Sequence, residues 1–395
     1  MPDESAPPAD PRPRMEVGYN YTWPFNRYGT TIGPRDLEND PPAGAADATP
    51  VFRDPSRQPP GGSLARNLKV LKDDLGIAKV RMFLLGNAYN YGARPVIEAS
   101  GRAAFTAPPA LHPLFCDHFR QMLEVFRDEG MQILPSLIDF GAFYPLVLGT
   151  AGGGRTSLLT TQRSAFLDTV LAPLLDVARE PSLEGVVFAW EVANEPVWNT
   201  ITAPFIGRPH TTSSAADVGR DVMASFLGEC LAAIEARGFR STVGHRFLAD
   251  LRGPLPAGTL PQFHYYGATA LVRRLVGVGD PAPIPRAEDL ARDPRTRGAF
   301  VGEIGAAPGG ARNAFGDVEP GALWPECHGR DASRAGAAFE RLSVLASKGY
   351  DLAFVWPDLS DKEPGVVNDD DLKLSADARA SIRRFTMGSA GPDVA

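Results

Sequence analysis

Short apolar runs rich in β-branched residues alternate along this chain with longer amphipathic segments. Within those segments apolar residues recur at spacings of three and four, as they do from Leu64 to Leu75 and from Phe115 to Phe126. This period predicts helices with one buried face, whereas the short runs predict buried strands. The eight strand candidates occupy residues 16–21, 78–84, 132–137, 185–192, 241–246, 262–266, 300–304 and 352–356.

Strands that alternate with helices are typical of repeated βα units in a parallel sheet. Further helices are predicted over residues 166–178, 218–236, 334–347 and 375–385. Pro254 and Pro256 leave room for only a turn or two of helix after the fifth strand. Eight units predict an α/β fold, a single (β/α)8 TIM barrel over residues 16–388, with a disordered N-terminal tail at 1–15 and a flexible C-terminal tail at 389–395.

The connections at the two ends of this barrel differ in length. The helix-to-strand connections are short, and glycines that fit left-handed helix caps stand there, namely Gly76, Gly130, Gly185, Gly238 and Gly349. The strand-to-helix loops are long and rich in Pro and Gly, and they occupy residues 29–63, 86–113, 141–160, 196–213, 267–287 and 306–332. The long loops therefore lie on the C-terminal face, where barrel enzymes carry their active sites.

Composition excludes several classes of protein. Of the 395 residues, 44% are hydrophobic and 22% are charged, which argues against disorder and against membrane spans. The net charge of -7 comes without a clustered Lys/Arg tract, so neither nucleic acid nor an anionic membrane is expected as a partner. No protein partner is indicated. Residues 1–14 lack the apolar region of a signal peptide, so we expect a cytoplasmic protein, or a secreted one if a leader has been removed.

Motifs for metals and cofactors are missing from the sequence. It contains no HExxH motif, no paired CxxC and no cluster of histidines. Its three cysteines are far apart and do not suggest a disulfide framework. The acidic run at residues 369–371 lacks the ligand spacing of a calcium loop. We therefore expect neither a metal nor an organic cofactor.

Two glutamates end or follow predicted strands at the C-terminal face. The fourth strand leads into the letters ANEP, which place Glu195, and the seventh reads FVGEIG, which places Glu303. Each alone also has a structural interpretation, Glu195 as a surface loop residue and Glu303 as half of a salt bridge inside the barrel. Together they would face each other across the barrel mouth. Glycoside hydrolysis with retention needs such a pair, with carboxyl groups about 5–5.5 Å apart.

These motifs resemble the strand ends of clan A glycoside hydrolases, above all the family 5 mannanases and cellulases. The letters WEVANEP at residues 190–196 look like the fourth-strand motif that carries the acid/base, and VGEIG at 301–305 is similar to the nucleophile strand. The resemblance extends to Arg81 on the second strand, HYY at 264–266 on the sixth and Trp356 on the eighth. It covers roughly residues 16–388 and implies a retaining β-glycosidase on a TIM barrel.

The resemblance also implies a role for each matching residue. Glu195 would be the general acid/base, and Glu303 would be the nucleophile that forms a glycosyl-enzyme. Asn194 would hydrogen-bond the 2-hydroxyl of the sugar, an interaction that strengthens in the transition state.

Four further residues would support these groups. Arg81 would keep the nucleophile ionised, and Tyr266 would donate a hydrogen bond to it. His264 would position or tune the acid/base, and Trp356 would offer an apolar face to the sugar. His264 also fits a core histidine, and Trp356 also fits ordinary barrel packing. Glu191 should point into the barrel as a structural, ion-paired carboxylate.

The long loops carry further candidates for sugar subsites or for packing: Trp23, Asn87, Asp139, Trp198 and Trp324. No histidine follows the third strand, where many family 5 members have one; Asp139 and Phe140 stand there instead. This departure leaves the substrate open.

The sequence therefore predicts a carbohydrate-active enzyme, a retaining glycoside hydrolase acting on a β-mannan, a β-glucan or a derived oligosaccharide. One alternative is a hydrolase of a glycolipid or other glycoconjugate. The other is a carbohydrate-binding barrel without catalysis, which would bind sugars without turnover.

Overall fold

The structure of the protein is a computed structural model. It describes residues 15–21, 52–53, 63–85, 96–97, 103–104, 110–111, 114–139, 159, 162–200, 219–253, 258–266, 283–305, 337–358 and 372–388. These residues form a parallel β-barrel surrounded by helices, which confirms the predicted (β/α)8 fold.

Eight parallel strands form the barrel. They are β1 (Glu16–Asn20), β2 (Lys79–Phe83), β3 (Gln132–Ile138), β4 (Trp190–Asn194), β5 (Ser241–Gly244), β6 (Gln262–His264), β7 (Phe300–Gly305) and β8 (Leu352–Trp356). Their order is β5-β4-β3-β2-β1-β8-β7-β6. Two isolated parallel bridges, Thr242 with Leu260 and His245 with Phe263, join β5 to β6 and close the circle.

The helices lie around the strands with one face buried. They are α1 (Leu64–Lys69, continued by a π-helical turn Val70–Asp74), α2 (Phe115–Asp128), α3 (Arg163–Phe166, a π-helical turn Leu167–Leu171 and Ala172–Ala178), α4 (Arg220–Glu235), α5 (Ala287–Leu290), α6 (Ala337–Ser347) and α7 (Ala376–Met387). Short 3₁₀ segments occupy Pro181–Leu183, Pro196–Asn199 and Leu248–Arg252, and Val96–Ile97 pairs antiparallel with Ala103–Ala104. As predicted, the connection from β5 to β6 is short of helix: its described residues contain only the 3₁₀ turn Leu248–Arg252.

Sequence and structure differ in the extent of the fourth strand. The prediction of a strand over residues 185–192 is wrong at its start, because β4 begins at Trp190. Gly185 adopts a left-handed conformation with φ of 78°. The chain then reaches the sheet through a single bridge between Val187 and Ile133. All five glycines assigned to helix caps do have positive φ, as expected.

The barrel interior is apolar where the strands begin and polar where they end. The lower end is filled by Leu134, Ala189, Phe300, Leu352 and Phe354. The next layer towards the carboxyl ends is polar. Ser136, two residues after Leu134, belongs to it, and Arg81, Glu191 and Gln262 are buried as well. Because inward-facing residues of a strand are two apart, these side chains lie just beneath the carboxyl ends of the strands.

Close packing in the lower barrel makes Gly18 a sensitive position. A Cβ atom there would lie 2.4 Å from Cδ1 of buried Phe354, so Gly18→Ala is expected to lower the free energy of unfolding by about 1–3 kcal/mol. Gly228 on α4 is the matched control, because a Cβ there meets nothing within 4 Å. Gly228→Ala should raise stability by about 0.5–1 kcal/mol. Urea unfolding followed by tryptophan fluorescence measures both; equal stabilities would contradict this packing.

No helix within the described ranges is long and apolar enough to cross a membrane.

Candidate active site

Glu195 directly follows β4 in a strained backbone conformation. Its φ of 44° and ψ of 48° place it in the left-handed region, which residues other than glycine rarely adopt. A hydrogen bond from its N–H to the carbonyl of Gly244 (2.7 Å) and the following residue, Pro196, hold it there. Such strain costs free energy and is concentrated at functional sites. It turns the Glu195 side chain towards β6 and β7.

Glu195, His264 and Glu303 lie together at the barrel mouth. Nδ1 of His264 lies 2.8 Å from Oε1 of Glu195 and 3.3 Å from Oε2 of Glu303. One ligand atom from each residue lies within 4.8 Å of those of the other two. All three side chains are buried. The two carboxylates therefore lie near enough to act on one sugar, as the pair in retaining glycosidases does at about 5–5.5 Å.

Arg81 links Glu303 to a second buried carboxylate. Nη1 of Arg81 donates to Oε1 of Glu303 at 2.7 Å. Nε and Nη2 of Arg81 donate to Oε2 and Oε1 of Glu191 at 2.7 Å and 2.5 Å. The remaining donors reach Oδ1 of Asn20 and Oδ1 of Asn194, each at 2.8 Å. All five N–H groups of the guanidinium are therefore used, so its position is fixed.

Glu191 is the structural, ion-paired carboxylate that the sequence predicted. It also accepts hydrogen bonds from Ser136 Oγ and from Gln262 Nε2, both at 2.6 Å. Burial opposes its ionisation, but the charge and hydrogen bonds of Arg81 outweigh burial and hold the pKa of Glu191 below its ordinary value. The ionised Glu191 therefore compensates much of the positive charge of Arg81.

Glu303 has the predicted partners but not the predicted balance of charge. Tyr266 donates its hydroxyl to Oε2 of Glu303 at 2.6 Å, and Arg81 holds Oε1. Burial nevertheless raises the pKa of Glu303 above its ordinary value, and the nearby charge of Glu195 adds to this rise. The charges of His264 and Arg81 and the Tyr266 hydrogen bond only partly offset it. Burial therefore outweighs the stabilising contacts of Arg81, which Glu303 shares with Glu191.

Asn194 and Asp139 form a pair next to Glu195. Nδ2 of Asn194 donates to Oδ1 of Asp139 at 2.8 Å, while Oδ1 of Asn194 accepts from Arg81. Asp139 was a candidate for a sugar-binding loop residue. It lies instead at the end of β3, is only 3% exposed and holds the Asn194 amide in one orientation.

The other candidates are placed less centrally. Trp356 ends β8 in register with Gly305 and is buried at 3% exposure. Trp198 belongs to the 3₁₀ segment after Glu195, and its side chain lies outside the described part of the chain. Trp23, Asn87 and Trp324 also lie outside the described residues.

Four buried or half-buried residues of this site were not predicted: Asn20, Ser136, Gln262 and Arg246. Asn20 donates through Nδ2 to the carbonyls of Gly302 and Val355, at 3.1 Å and 3.3 Å. Three of the four are uncharged polar residues within otherwise apolar strands. A polar residue in that position is a signal that sequence reasoning can use, because it is costly to bury without a partner.

Glu195, His264 and Glu303 are also the one group of possible metal ligands among the described residues. Glu303 is already bound by the guanidinium of Arg81 and by the Tyr266 hydroxyl. A divalent cation there would face that fixed positive charge at close range. The arrangement therefore suits proton transfer and nucleophilic attack better than metal binding.

Comparison with solved structures finds the same barrel in carbohydrate-active enzymes. The β-1,4-D-mannanase from Cryptopygus antarcticus has a TM-score of 0.54 and 14% identity, over 94% of this chain and 90% of the mannanase. A glycoside hydrolase family 5 enzyme from Prevotella bryantii has a TM-score of 0.50 and 11% identity, over 94% of this chain and 96% of that one. A broad-specificity endoglucanase from Ruminococcus champanellensis gives the same four values.

No family model matches this sequence, and no curated protein matches it. At identities of 11–14%, the likeness to solved structures shows the fold. The predicted resemblance to family 5 is therefore confirmed at the level of the barrel.

Proposed function

We propose that this chain is a retaining glycoside hydrolase that cleaves β-glycosidic bonds in a β-mannan, a β-glucan or a derived oligosaccharide. The observation that carries the proposal is the pair of buried glutamates, Glu195 and Glu303, within 4.8 Å of each other at the mouth of the barrel. A β-1,4-D-mannanase and a family 5 endoglucanase with the same fold support the substrate class.

The different surroundings of the two glutamates support their roles. Glu303 receives a fixed guanidinium and a tyrosine hydroxyl, which suits a nucleophile that must be ionised. An oxygen of Glu195 lies within 4.8 Å of one of Glu303, and two carboxylates this close disfavour double ionisation, so that one of them holds a proton. We assign that proton to Glu195, because Arg81 and Tyr266 both donate to Glu303. A glutamate that carries a proton at working pH is a general acid.

The proposed reaction has two steps. In the first, Glu303 attacks the anomeric carbon while Glu195 gives its proton to the departing glycosidic oxygen, which leaves a glycosyl ester on Glu303. In the second, Glu195 takes a proton from water, and the resulting hydroxide displaces Glu303. Two inversions give net retention. The second Nδ2 hydrogen of Asn194, whose amide is held by Asp139, is aimed at the 2-hydroxyl of the sugar.

The test measures turnover of soluble β-mannan, soluble β-glucan and aryl β-glycosides by the parent and by Glu195→Ala. For poor leaving groups kcat/KM should fall by about 10²–10⁴-fold, because protonation of the leaving oxygen is lost. For activated leaving groups the fall should be far smaller, and azide should speed turnover by replacing water. Glu184→Ala is the matched control, because Glu184 is exposed and lies before β4.

Other outcomes select the alternatives. Sugar binding by calorimetry without turnover would indicate a carbohydrate-binding barrel and overturn the hydrolase proposal. Turnover of lipid-linked sugars but not of polymers would replace the polysaccharide substrates with a glycoconjugate. Full activity of Glu195→Ala on poor leaving groups would remove Glu195 from its role.

A further inference from the structure

Arg246 is a cation beside Glu195 that the reaction described above does not use. It lies two residues after β5, and its Nε atom is 3.7 Å from Oε1 of Glu195. The two side chains are similarly buried, at 12% and 11% exposure. The oxygen that Arg246 approaches is the same one that His264 contacts. A positive charge at this distance favours the ionised form of a carboxyl group.

Two aromatic rings hold the guanidinium in place. Its Cζ lies 5.0 Å from the centre of the Phe247 ring and 5.2 Å from the centre of the Tyr266 ring. Both distances are within the range of cation–π attraction. Because the hydroxyl of Tyr266 donates to Glu303, the same ring that supports Arg246 also orients the nucleophile. Arg246 is therefore fixed with respect to both carboxylates.

Other charged groups face Glu195 from the neighbouring elements. His264 approaches from β6 and Glu303 from β7. Asp250, in the 3₁₀ turn after β5, interacts with both Arg246 and Glu195, and burial raises the pKa of Asp250 to about 6. His245 stays neutral at working pH, because burial lowers its pKa to about 4. Arg246 is therefore the permanent cation nearest to Glu195 among these groups.

We propose that Arg246 is a positioning residue that stabilises the carboxylate left on Glu195 when its proton is transferred. The inference rests on the proposed hydrolase function. When the glycosidic C–O bond breaks, its electron pair goes to the leaving oxygen, and the Glu195 proton bonds to that pair. Glu195 is then an anion beside Arg246, and it recovers the proton from water in the second step. Arg246 thereby sets the pH above which Glu195 no longer acts as an acid.

The test compares Arg246→Met, Arg246→Gln and Arg246→Lys on phenyl and 2,4-dinitrophenyl β-glycosides. Without the cation, the basic limb of the kcat/KM profile for the phenyl glycoside should move up by about one pH unit. Its maximal kcat/KM should fall about 3- to 10-fold, because the acid holds its proton more tightly. The dinitrophenyl glycoside needs no proton, so its kcat/KM should be unchanged. Arg246→Lys should keep the basic limb close to that of the parent.

Arg240→Met is the matched control. Arg240 immediately precedes β5, at the opposite end of the strand, and also stacks on an aromatic ring, with Cζ 4.4 Å from the centre of Phe188. Its loss should leave the pH profile unchanged. Circular dichroism establishes that each variant is folded, and Arg246→Gln carries the test if Arg246→Met is not.

The outcomes separate this inference from the proposed function. If the parent turns over no β-glycoside, the hydrolase function fails and the role of Arg246 falls with it. The inference alone is overturned if the parent is active but the basic limb of the kcat/KM profile lies at the same pH in Arg246→Met and Arg246→Gln as in Arg240→Met. It is also overturned if both glycosides lose activity equally, because that pattern indicates a general structural defect.

Discussion

Replacement of Glu303 by Gln is expected to lower kcat on β-glycosides by about 10³-fold or more, with activated leaving groups included. The amide is no nucleophile for the anomeric carbon, so the covalent step is lost for every substrate. The fold should persist, because Gln keeps the shape of the side chain: its Oε1 can still accept from Arg81, while its Nε2 can donate to the hydroxyl oxygen of Tyr266. Steady-state kinetics with 2,4-dinitrophenyl and phenyl β-glycosides measure the loss.

The loss of kcat in Glu303→Gln should not depend on the leaving group, which distinguishes this variant from Glu195→Ala. Azide sharpens the distinction through the configuration of its product. With Glu303→Ala, azide should attack the sugar directly and give the inverted glycosyl azide, whereas with Glu195→Ala it should attack the glycosyl ester and give the retained one. Glu184→Gln, on an exposed carboxylate, should keep parental kcat. Retained product from Glu303→Ala would mean that the nucleophile is another residue.

Replacement of Arg81 by Met is expected to lower the free energy of unfolding by about 3–5 kcal/mol. Its guanidinium is fully buried and is bound by Glu191 and Glu303. Removal of the cation leaves two buried carboxylates without their compensating charge. Urea unfolding at neutral pH measures the loss. Arg120→Met is the control: Arg120 pairs with half-exposed Glu180, and its loss should cost under about 1 kcal/mol.

The loss in Arg81→Met should depend on pH. In the parent, Arg81 holds the pKa of Glu191 below the ordinary 4.5, so this stabilisation is present at neutral pH and is lost as the pH falls through that low value. In the variant, burial without a cation raises the pKa values of these carboxylates above their values in the unfolded chain. The deficit should therefore be smallest in acid and grow as the pH rises through about 5–7.

A double variant tests whether the charges act as a unit. Arg81→Met combined with Glu191→Gln should lose less stability than the sum of the single variants, because the second change removes one of the unpaired charges. Additive losses would show that the ion pair contributes no coupling.

Much of the site could be predicted because strand ends are local features of a sequence. In a parallel barrel every strand delivers its carboxyl end to one face. Glu195 and Glu303, which end or follow apolar strands, therefore had to lie on the same rim. The motif at residues 190–196 further predicted Glu191 as an inward, ion-paired carboxylate, and its bidentate contact with Arg81 agrees. The weak fifth unit was predicted from Pro254 and Pro256 for a similarly local reason.

Other features depend on which strands become neighbours. Asp139, which directly follows β3, was predicted as a sugar-binding candidate, and only the pairing of β3 with β4 places it against Asn194. Arg246 gave no signal, because its significance comes from the ring of Tyr266, which follows the adjacent strand β6, and from the carboxylate of Glu195, which follows β4. The start of β4 was misplaced because the run GVVF at 185–188 has strand composition, yet makes only one bridge to β3.

The sequence by itself therefore determined the barrel, the face that carries the site and the identity of its two central glutamates. These follow from the periods of helix and strand and from the cost of an unpaired polar group at the end of an apolar strand. Only the tertiary structure decided the balance of charge. Burial raises the pKa of Glu303 despite its contact with Arg81, whereas the charge and the two hydrogen bonds of Arg81 outweigh burial at Glu191 and hold its pKa low. Electrostatic energies depend on distances and burial among residues far apart in the chain, and neither quantity is set by local sequence.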